Sequence, residues 1–385
     1  MKKTILHIIK DDKFFDLVLP KFDLVDNYNN VYLLYVKNKE YQYKYIKNID
    51  RVTMVNDWQD VCEMLSSNAV YAIYFHSLDN NKYKWLELIN IETIVICWFW
   101  GFELYSTSVR KGLIELNCFK PITKRDFFIR YRGFRLLLKD IINAIIFKAT
   151  REYNKRISML NRIDYIQTVL STEYDLLNKN NLLQGKYLKM PQFSKRYNTI
   201  PASKVISGDI LLGNSATPTN NHLDVLEALK KVPIQADRQV ILPLNYGNGL
   251  YLKFLKNRLK GYNNHNILML DEFLPLVEYE KLMQRCTHAI FGHIRQQAMG
   301  NISFCIKNGI KIFLYKDSLA YRHLKEKLGC IIYSIENDLS VEELNKPLED
   351  EAIEHNIMVY RPRLSTVGDP REEMNTLFDS LSRQL

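Results

Sequence analysis

Asp209-Ile210-Leu211-Leu212-Gly213-Asn214-Ser215-Ala216-Thr217-Pro218-Thr219-Asn220-Asn221-His222-Leu223 is the stretch that decides the fold class of this chain. A short Ile/Leu run, a loop of small and hydroxylated residues, and an apolar-periodic run through Leu229 read as strand, loop and helix. The same unit recurs downstream. Gln239–Leu242 precedes a helix over Tyr251–Leu259, and Ile267–Leu270 precedes one from about Pro275 to Arg285. Ala289–Phe291 then leads to a helix from about Gln296 to Lys307, and Lys311–Tyr315 to one through Leu319–Leu328. Repeating units of this length predict a doubly wound α/β domain on a parallel sheet.

Upstream, Ile5–Ile9, Val31–Val36, Val70–Phe75 and Ile94–Phe99 are short runs rich in β-branched and aromatic residues. They read as buried strands of a second, mostly parallel sheet, with helices such as Trp58–Leu65 between them. A polar stretch over 182–204, with Pro191 and Pro201, is the expected linker. The last forty residues read as mostly helical, around Arg371–Leu385. A chain of 385 residues and 45.5 kDa suits two domains. The expectation is two Rossmann-like domains facing a central cleft, residues 1–195 and 196–345, followed by a helical tail over 346–385.

Composition narrows the class. With 47% hydrophobic and 25% charged residues the chain buries a sizeable core and is not disordered, and 14 Gly with 11 Pro exclude collagen-like sequence. The opening Met1-Lys2-Lys3 is basic, but His7, Lys10 and Asp11 break the apolar run, so it reads as a strand and not as a signal peptide. The charge-free stretch Thr93–Phe102 is far shorter than the roughly 20 residues of a membrane-spanning helix. Six Cys without paired spacing suit reduced thiols better than disulfides or a zinc site. Neither export nor membrane spanning is expected.

The net charge of +10 is unevenly placed. Lys120–Arg162 holds twelve basic residues against Asp126, Asp140 and Glu152, with Phe127, Phe128, Tyr131, Phe134 and Leu136–Leu138 interleaved. At helical spacing this gives an apolar face edged by Arg and Lys, the pattern of a helix lying on an anionic membrane surface. An ordinary amphipathic helix packed on the core is the plainer reading. Nucleic-acid binding is not supported, because no recognition motif accompanies the charge.

In such sheets ligands bind beyond the carboxyl ends of the strands. The loop Gly213, Asn214, Ser215 through Asn221 and His222 leaves backbone N–H groups free beside a helix start, where a diphosphate can sit; a plain N-cap is the alternative. Arg295-Gln296-Gln297 with Gly300 supplies a bidentate cation and close backbone approach, or else a surface Arg and a packing glycine. Asp317 is a candidate for a ribose hydroxyl. In the first domain, Phe75-His76-Ser77 and Trp98-Phe99-Trp100-Gly101-Phe102-Glu103-Leu104-Tyr105 follow strand ends. Aromatic rings stack on sugar faces, and Glu103 or His76 could deprotonate an acceptor hydroxyl; core roles for Trp98, Trp100 and His76 compete. No metal constellation, P-loop, G-x-G-x-x-G or G-x-S-x-G occurs. Neither metal nor organic cofactor is therefore expected.

Taken together, Trp98-x-Trp100-Gly101-x-Glu103-Leu104-Tyr105, Ile210–Ser215 with Asn221-His222, Leu242-Pro243 with Tyr246, and Arg295-Gln296-Gln297 with Gly300 resemble the family 56 glycosyltransferases, the N-acetylfucosaminyltransferase and 4-alpha-L-fucosyltransferase family. The similarity is close over about residues 70–105 and 205–330. It implies a GT-B fold and transfer of a fucose-type amino sugar from a dTDP donor to a polyprenyl-diphosphate-linked saccharide, peripherally at the cytoplasmic face of the bacterial inner membrane. On this reading Gly213, Asn214, Ser215, Asn221, His222, Arg295, Gln296, Gln297, Gly300 and Asp317 bind the donor. Trp98, Trp100 and Tyr105 line the acceptor site, Glu103 or His76 is the base, and Arg295 stabilises the leaving diphosphate. The first 65 residues and the basic segment match loosely, which leaves the acceptor saccharide open. A nucleotide-sugar epimerase on the same scaffold, or a non-catalytic scaffold of a polysaccharide assembly complex, are the rival functions.

Overall fold

Short β-branched and aromatic runs become strands where both faces can be buried. The computed structural model describes residues 2–11, 15–38, 40–78, 82–101, 103–105, 116–179, 183–190, 208–235, 237–260, 262, 266–360 and 369–382. Its first sheet holds β1 (Thr4–Ile8), β2 (Asn29–Tyr35), β3 (Val52–Val55), β4 (Val70–Phe75), β5 (Ile94–Phe99), β6 (Tyr165–Thr168) and β7 (Lys186–Tyr187). Among these run α1 (Phe15–Phe22), α2 (Trp58–Ser66), α3 (Phe134–Lys148), α4 (Arg151–Leu160) and α5 (Ser171–Lys179). The strand order is β3-β2-β1-β4-β5-β6-β7, all parallel.

The second sheet holds β8 (Asp209–Leu212), β9 (Gln239–Pro243), β10 (Asn266–Leu270), β11 (Cys286–Phe291), β12 (Lys311–Leu314) and β13 (Tyr333–Ser334). Its order is β10-β9-β8-β11-β12-β13, again all parallel. The helices are α6 (His222–Leu229), α7 (Gly249–Leu259), α8 (Leu276–Gln284), α9 (Met299–Lys307), α10 (Leu319–Tyr321), α11 (Val341–Asn345), α12 (Asp350–Tyr360) and α13 (Pro370–Asp379). Each sheet reverses its winding once, between β1 and β4 and between β8 and β11. Those two crevices are where a doubly wound fold binds ligands.

The strands named from sequence are present within two residues of the expected bounds, except that β11 starts three residues earlier, at Cys286. β6 was not legible as an apolar run because it carries Gln167, which is buried and accepts a hydrogen bond from the Tyr74 hydroxyl. Helices start where a cap is available. Asp57 accepts from the Gln59 N–H at 2.8 Å and Asn248 from the Tyr251 N–H at 2.9 Å, each cap contributing about 1 kcal/mol. α5 joins the two halves: the Thr172 hydroxyl donates to the Leu319 carbonyl at 3.1 Å, and Ser171 Oγ lies 3.2 Å from His323 Nδ1.

Three expectations about organisation change. The basic segment is not one interfacial helix. Thr123–Tyr131 forms a π-helical segment that buries Phe127 and Phe128 with Tyr251 and Phe254 of α7, in the second half of the chain. Asp224 holds its start, accepting from the Ile122 and Thr123 N–H groups at 2.8 and 2.9 Å. Much of the charge is locally paired, including Arg125 and Arg130 with Asp126, Arg132 with Asp140, Lys155 with Glu87 and Arg162 with Asp164. α4 packs on the turn Tyr83–Glu87 of the first half, so only α3 remains as a candidate surface helix.

The expected linker over 182–204 is partly structured, since β7 adds an edge strand to the first sheet; Leu182 and 191–204 lie outside the described residues. The described residues over 346–382 do not form a separate tail. α12 packs on α9, whereas Met374, Phe378 and Leu381 join the core of the first sheet. Their apolar faces find cores on both sides of the cleft, and sequence periodicity does not say which core a helix will find.

Candidate functional site

The residues singled out by sequence collect at the two crevices. Beyond β4 stands His76, whose N–H donates to the Ile8 carbonyl at 3.0 Å and so ties the β4 exit to β1. Its Nε2 lies 3.0 Å from His7 Nδ1, and His7 Nε2 lies 3.0 Å from Asn30 Oδ1. Burial, with His7 and Lys82 nearby, holds the His76 imidazole well below its usual 6.5, so it is neutral at physiological pH. The half-buried Trp100 donates its indole N–H to the His76 carbonyl at 2.6 Å.

Glu103 is differently placed from the expectation. It is buried; Oε1 accepts from the Leu78 N–H at 3.3 Å and Oε2 from the Trp100 N–H at 3.0 Å. Burial pushes its carboxyl up to about 7. With each oxygen accepting a backbone N–H, Glu103 ties the loop after β4 to the loop after β5. Trp98 and Tyr105 are core residues. Trp98 stacks on Trp100 with ring centroids 4.2 Å apart, and Tyr105 donates its hydroxyl to Glu173 Oε1 at 2.8 Å. Phe102 lies outside the described residues.

On the opposite side, Gln297 clamps the loop after β11 to the loop after β8. Its Nε2 donates to Asn214 Oδ1 at 2.8 Å and to Thr217 Oγ1 at 3.1 Å, while its Oε1 accepts from the Thr219 hydroxyl at 2.7 Å. Asn214 donates in turn to the Tyr246 hydroxyl at 2.7 Å. Asn214, Ser215 and Gln297 are therefore brought together in a buried network that shapes the loop. Gly213 (φ +71°) lies against His222: a Cβ there would stand 2.8 Å from His222 Nε2.

Asn221 and His222 lie beneath this loop, fully buried, and do not line it. Asn221 donates to the Gly292 and Cys118 carbonyls at 2.7 and 3.1 Å and accepts from the Lys120 N–H at 2.9 Å. His222 Nδ1 lies 3.1 Å from the Tyr251 hydroxyl. The Asp317 carboxylate is paired with Lys120 Nζ at 3.1 Å, and Lys120 covers the Tyr315 ring at 4.1 Å. What remains open toward a ligand is Arg295, Gln296, Gly300 and Tyr246. Gly300 is exposed in the first turn of α9 with nothing within 4 Å of where a Cβ would be. Arg295 donates to the Gln296 carbonyl at 3.0 Å, and its Nε is buried with no hydrogen-bond partner among the described residues.

The two halves meet at these motifs. A Cβ on Gly101 (φ +93°) would stand 2.8 Å from Gln296 Oε1, so the loop after β5 touches the loop after β11 backbone to side chain. The Arg295 guanidinium lies within electrostatic reach of Tyr105 and Glu173 from the first half. Glu173, buried on α5, was not anticipated, and burial pushes its carboxyl up to about 7. His7 left a readable trace, a polar break inside an apolar strand, which requires a buried partner. Glu173 left none.

Among the described residues no cluster of three or more His, Cys, Asp or Glu is arranged to hold a metal, and no helix is long and apolar enough to cross a membrane. The model of 4-alpha-L-fucosyltransferase glycosyl transferase group 56 matches residues 166–356. Over that span, just under half of its length, the chain is similar to glycosyl transferase group 56. Similar folds occur in the lipopolysaccharide outer core galactosyltransferase WaaB (TM-score 0.58, 10% identity, 98% of this chain and 99% of that one). Anabaena HepE, solved with UDP and glucose, gives TM-score 0.55 and 12% identity over 99% of this chain and 100% of that one. A Thermobaculum terrenum O-GlcNAc transferase gives TM-score 0.57 and 9% identity over 98% of this chain, which spans 66% of that protein. The transferase thus has the GT-B fold, and its matched span runs from β6 through α12. The Trp98–Tyr105 motif lies outside the span.

Proposed function

We propose that this glycosyltransferase moves a fucose-type amino deoxysugar from a dTDP-sugar to a polyprenyl-diphosphate-linked saccharide in surface polysaccharide synthesis. One observation carries the reading. A neutral imidazole, His76, stands at the crevice of the first sheet and the cationic Arg295 at that of the second, linked through Trp100, Gly101 and Gln296. That pairing suits glycosyl transfer, with a proton acceptor for the incoming hydroxyl and positive charge for the departing diphosphate. Arg295, the open first turn of α9 at Gly300 and Tyr246 hold the donor; the buried network beneath keeps the loop preformed. Charge neutralisation then falls to Arg295 and the α9 N-terminus without a metal.

The donor assignment is tested by a thermal-shift titration with dTDP, UDP, GDP and CMP, without added metal. Ligand at about 100 times its dissociation constant adds about 2.7 kcal/mol, and dTDP should give the largest shift. A preference for UDP or GDP would change the sugar; silence from all four would remove the nucleotide.

Membrane association rests on α3. Phe134, Leu136, Leu138, Ile142, Ile145 and Ile146 are exposed, Phe134 and Ile146 at 59%, with Arg135 and Lys139 between them. Fully burying one such side chain stabilises by about 1.5–3 kcal/mol, and each Lys or Arg near an anionic surface adds about 1 kcal/mol. We therefore read the protein as peripheral to the cytoplasmic face of the bacterial inner membrane, close to its lipid-linked acceptor. Ile142→Asp with Ile145→Asp should abolish co-sedimentation with anionic vesicles while leaving the thermal midpoint in place. Equal binding to neutral and anionic vesicles, or unchanged binding by the double variant, would refute this role for α3.

A further inference from the structure

The crevice between β1 and β4 contains more order than a lone base needs. Asn30 Nδ2 donates to two carbonyls, those of Phe22 at 3.2 Å and Val25 at 3.0 Å. This fixes which end of the amide is which, so Oδ1 faces His7 Nε2. An acceptor at that position requires a proton on His7 Nε2. In a neutral ring His7 Nδ1 is then bare, and it can only accept. The atom 3.0 Å away is His76 Nε2, which must therefore carry its own proton and donate. The other nitrogen of His76, Nδ1, is left with a lone pair and makes no hydrogen bond among the described residues.

We propose that His7 and Asn30 are positioning residues that fix the tautomer of His76, so that Nδ1 receives the proton of the acceptor hydroxyl. This rests on the reading of His76 as the base. As the hydroxyl oxygen bonds to the sugar carbon, its proton passes to His76 Nδ1 and the sugar–diphosphate bond breaks with its electron pair on the diphosphate. The imidazolium formed keeps its Nε2–H on His7. The surroundings hold the relay in this state. His7 is fully buried, the Tyr32 ring stacks on it at 4.6 Å, and Tyr74 lies 4.8 Å from His76. Burial pushes both phenols up and pulls both imidazoles down, and Lys82 adds to the effect on His76. The uncharged relay is thus the form present at neutral pH.

The test is ¹⁵N-histidine NMR on the full chain at neutral pH, with the His76 resonances assigned by their loss in His76→Gln. The expected spectrum shows His76 protonated at Nε2 and bare at Nδ1. His7→Gln, whose amide reaches toward Asn30 and not toward His76, should give a tautomer mixture and lower kcat by roughly 10–100-fold. His7→Asn can place its oxygen near the former Nδ1, and it should restore the single tautomer and most of kcat. A wild-type His76 protonated at Nδ1 overturns the proposal by itself, even if His7→Gln does not fold. So does a His7→Gln protein with unchanged tautomer and kcat. If the tautomer is as expected but His76→Ala keeps full rate, the relay stands and the base assignment falls.

Discussion

Replacing Arg295 with alanine is expected to lower turnover by roughly 10²–10³-fold. The reason is positional. Arg295 follows β11 at the point where the second sheet reverses its winding, and its Nε is buried without a hydrogen-bond partner among the described residues. A donor kept in that state has its solvation already removed, so charge growing on a leaving diphosphate meets it without reorganisation. Burial makes the guanidinium less comfortable as a cation, and Glu173 and Tyr105 across the cleft offset part of that cost. Loss of the side chain should therefore fall on kcat more than on folding. Arg295→Lys should recover only part of the rate, because an ammonium cannot reproduce a planar two-pronged grip. Steady-state kinetics with saturating donor checks this, and a near-wild-type kcat for Arg295→Ala removes the residue from the mechanism.

His76→Ala should lower kcat by about 10²–10⁴-fold with donor affinity intact. Its imidazole is held neutral by burial, His7 and Lys82, so the acid limb of the pH–rate profile should lie below the ordinary histidine value of 6.5. A raised limb would contradict the environment described. Glu103→Gln makes the discriminating comparison. Both Glu103 oxygens accept from backbone N–H groups, so an amide places a donor against a donor and should cost about 1–3 kcal/mol of stability. Urea denaturation and donor-saturated kinetics on both variants separate the two roles. If Glu103→Gln keeps its stability and loses rate as His76→Ala does, the carboxylate belongs to the chemistry after all.

Most of the fold was legible because it depends on local pattern. β8, β4 and β5 coincide with their expected runs to within a residue, since a strand buried on both faces must be apolar throughout. The misreadings share one cause. Asn221, His222, Trp98, Tyr105 and Glu103 look like site residues by type and place, yet tertiary contacts bury each of them. A polar side chain after a strand can point into the crevice or under the loop, and spacing is the same in both cases.

The sequence by itself determined two doubly wound sheets, the loops that carry Arg295 and His76, and the excess of positive charge before Arg162. These follow from residue type and period, which act over a few neighbours. The tertiary structure decided the rest: that Gly101 meets Gln296 across the cleft, that much of the basic segment is paired or packed while one face of α3 stays exposed, and that α13 returns to the first sheet. It also set the His7–His76 contact, which joins positions 69 residues apart. Such pairings depend on which surfaces the sheets bring within reach, and local sequence carries no term for that.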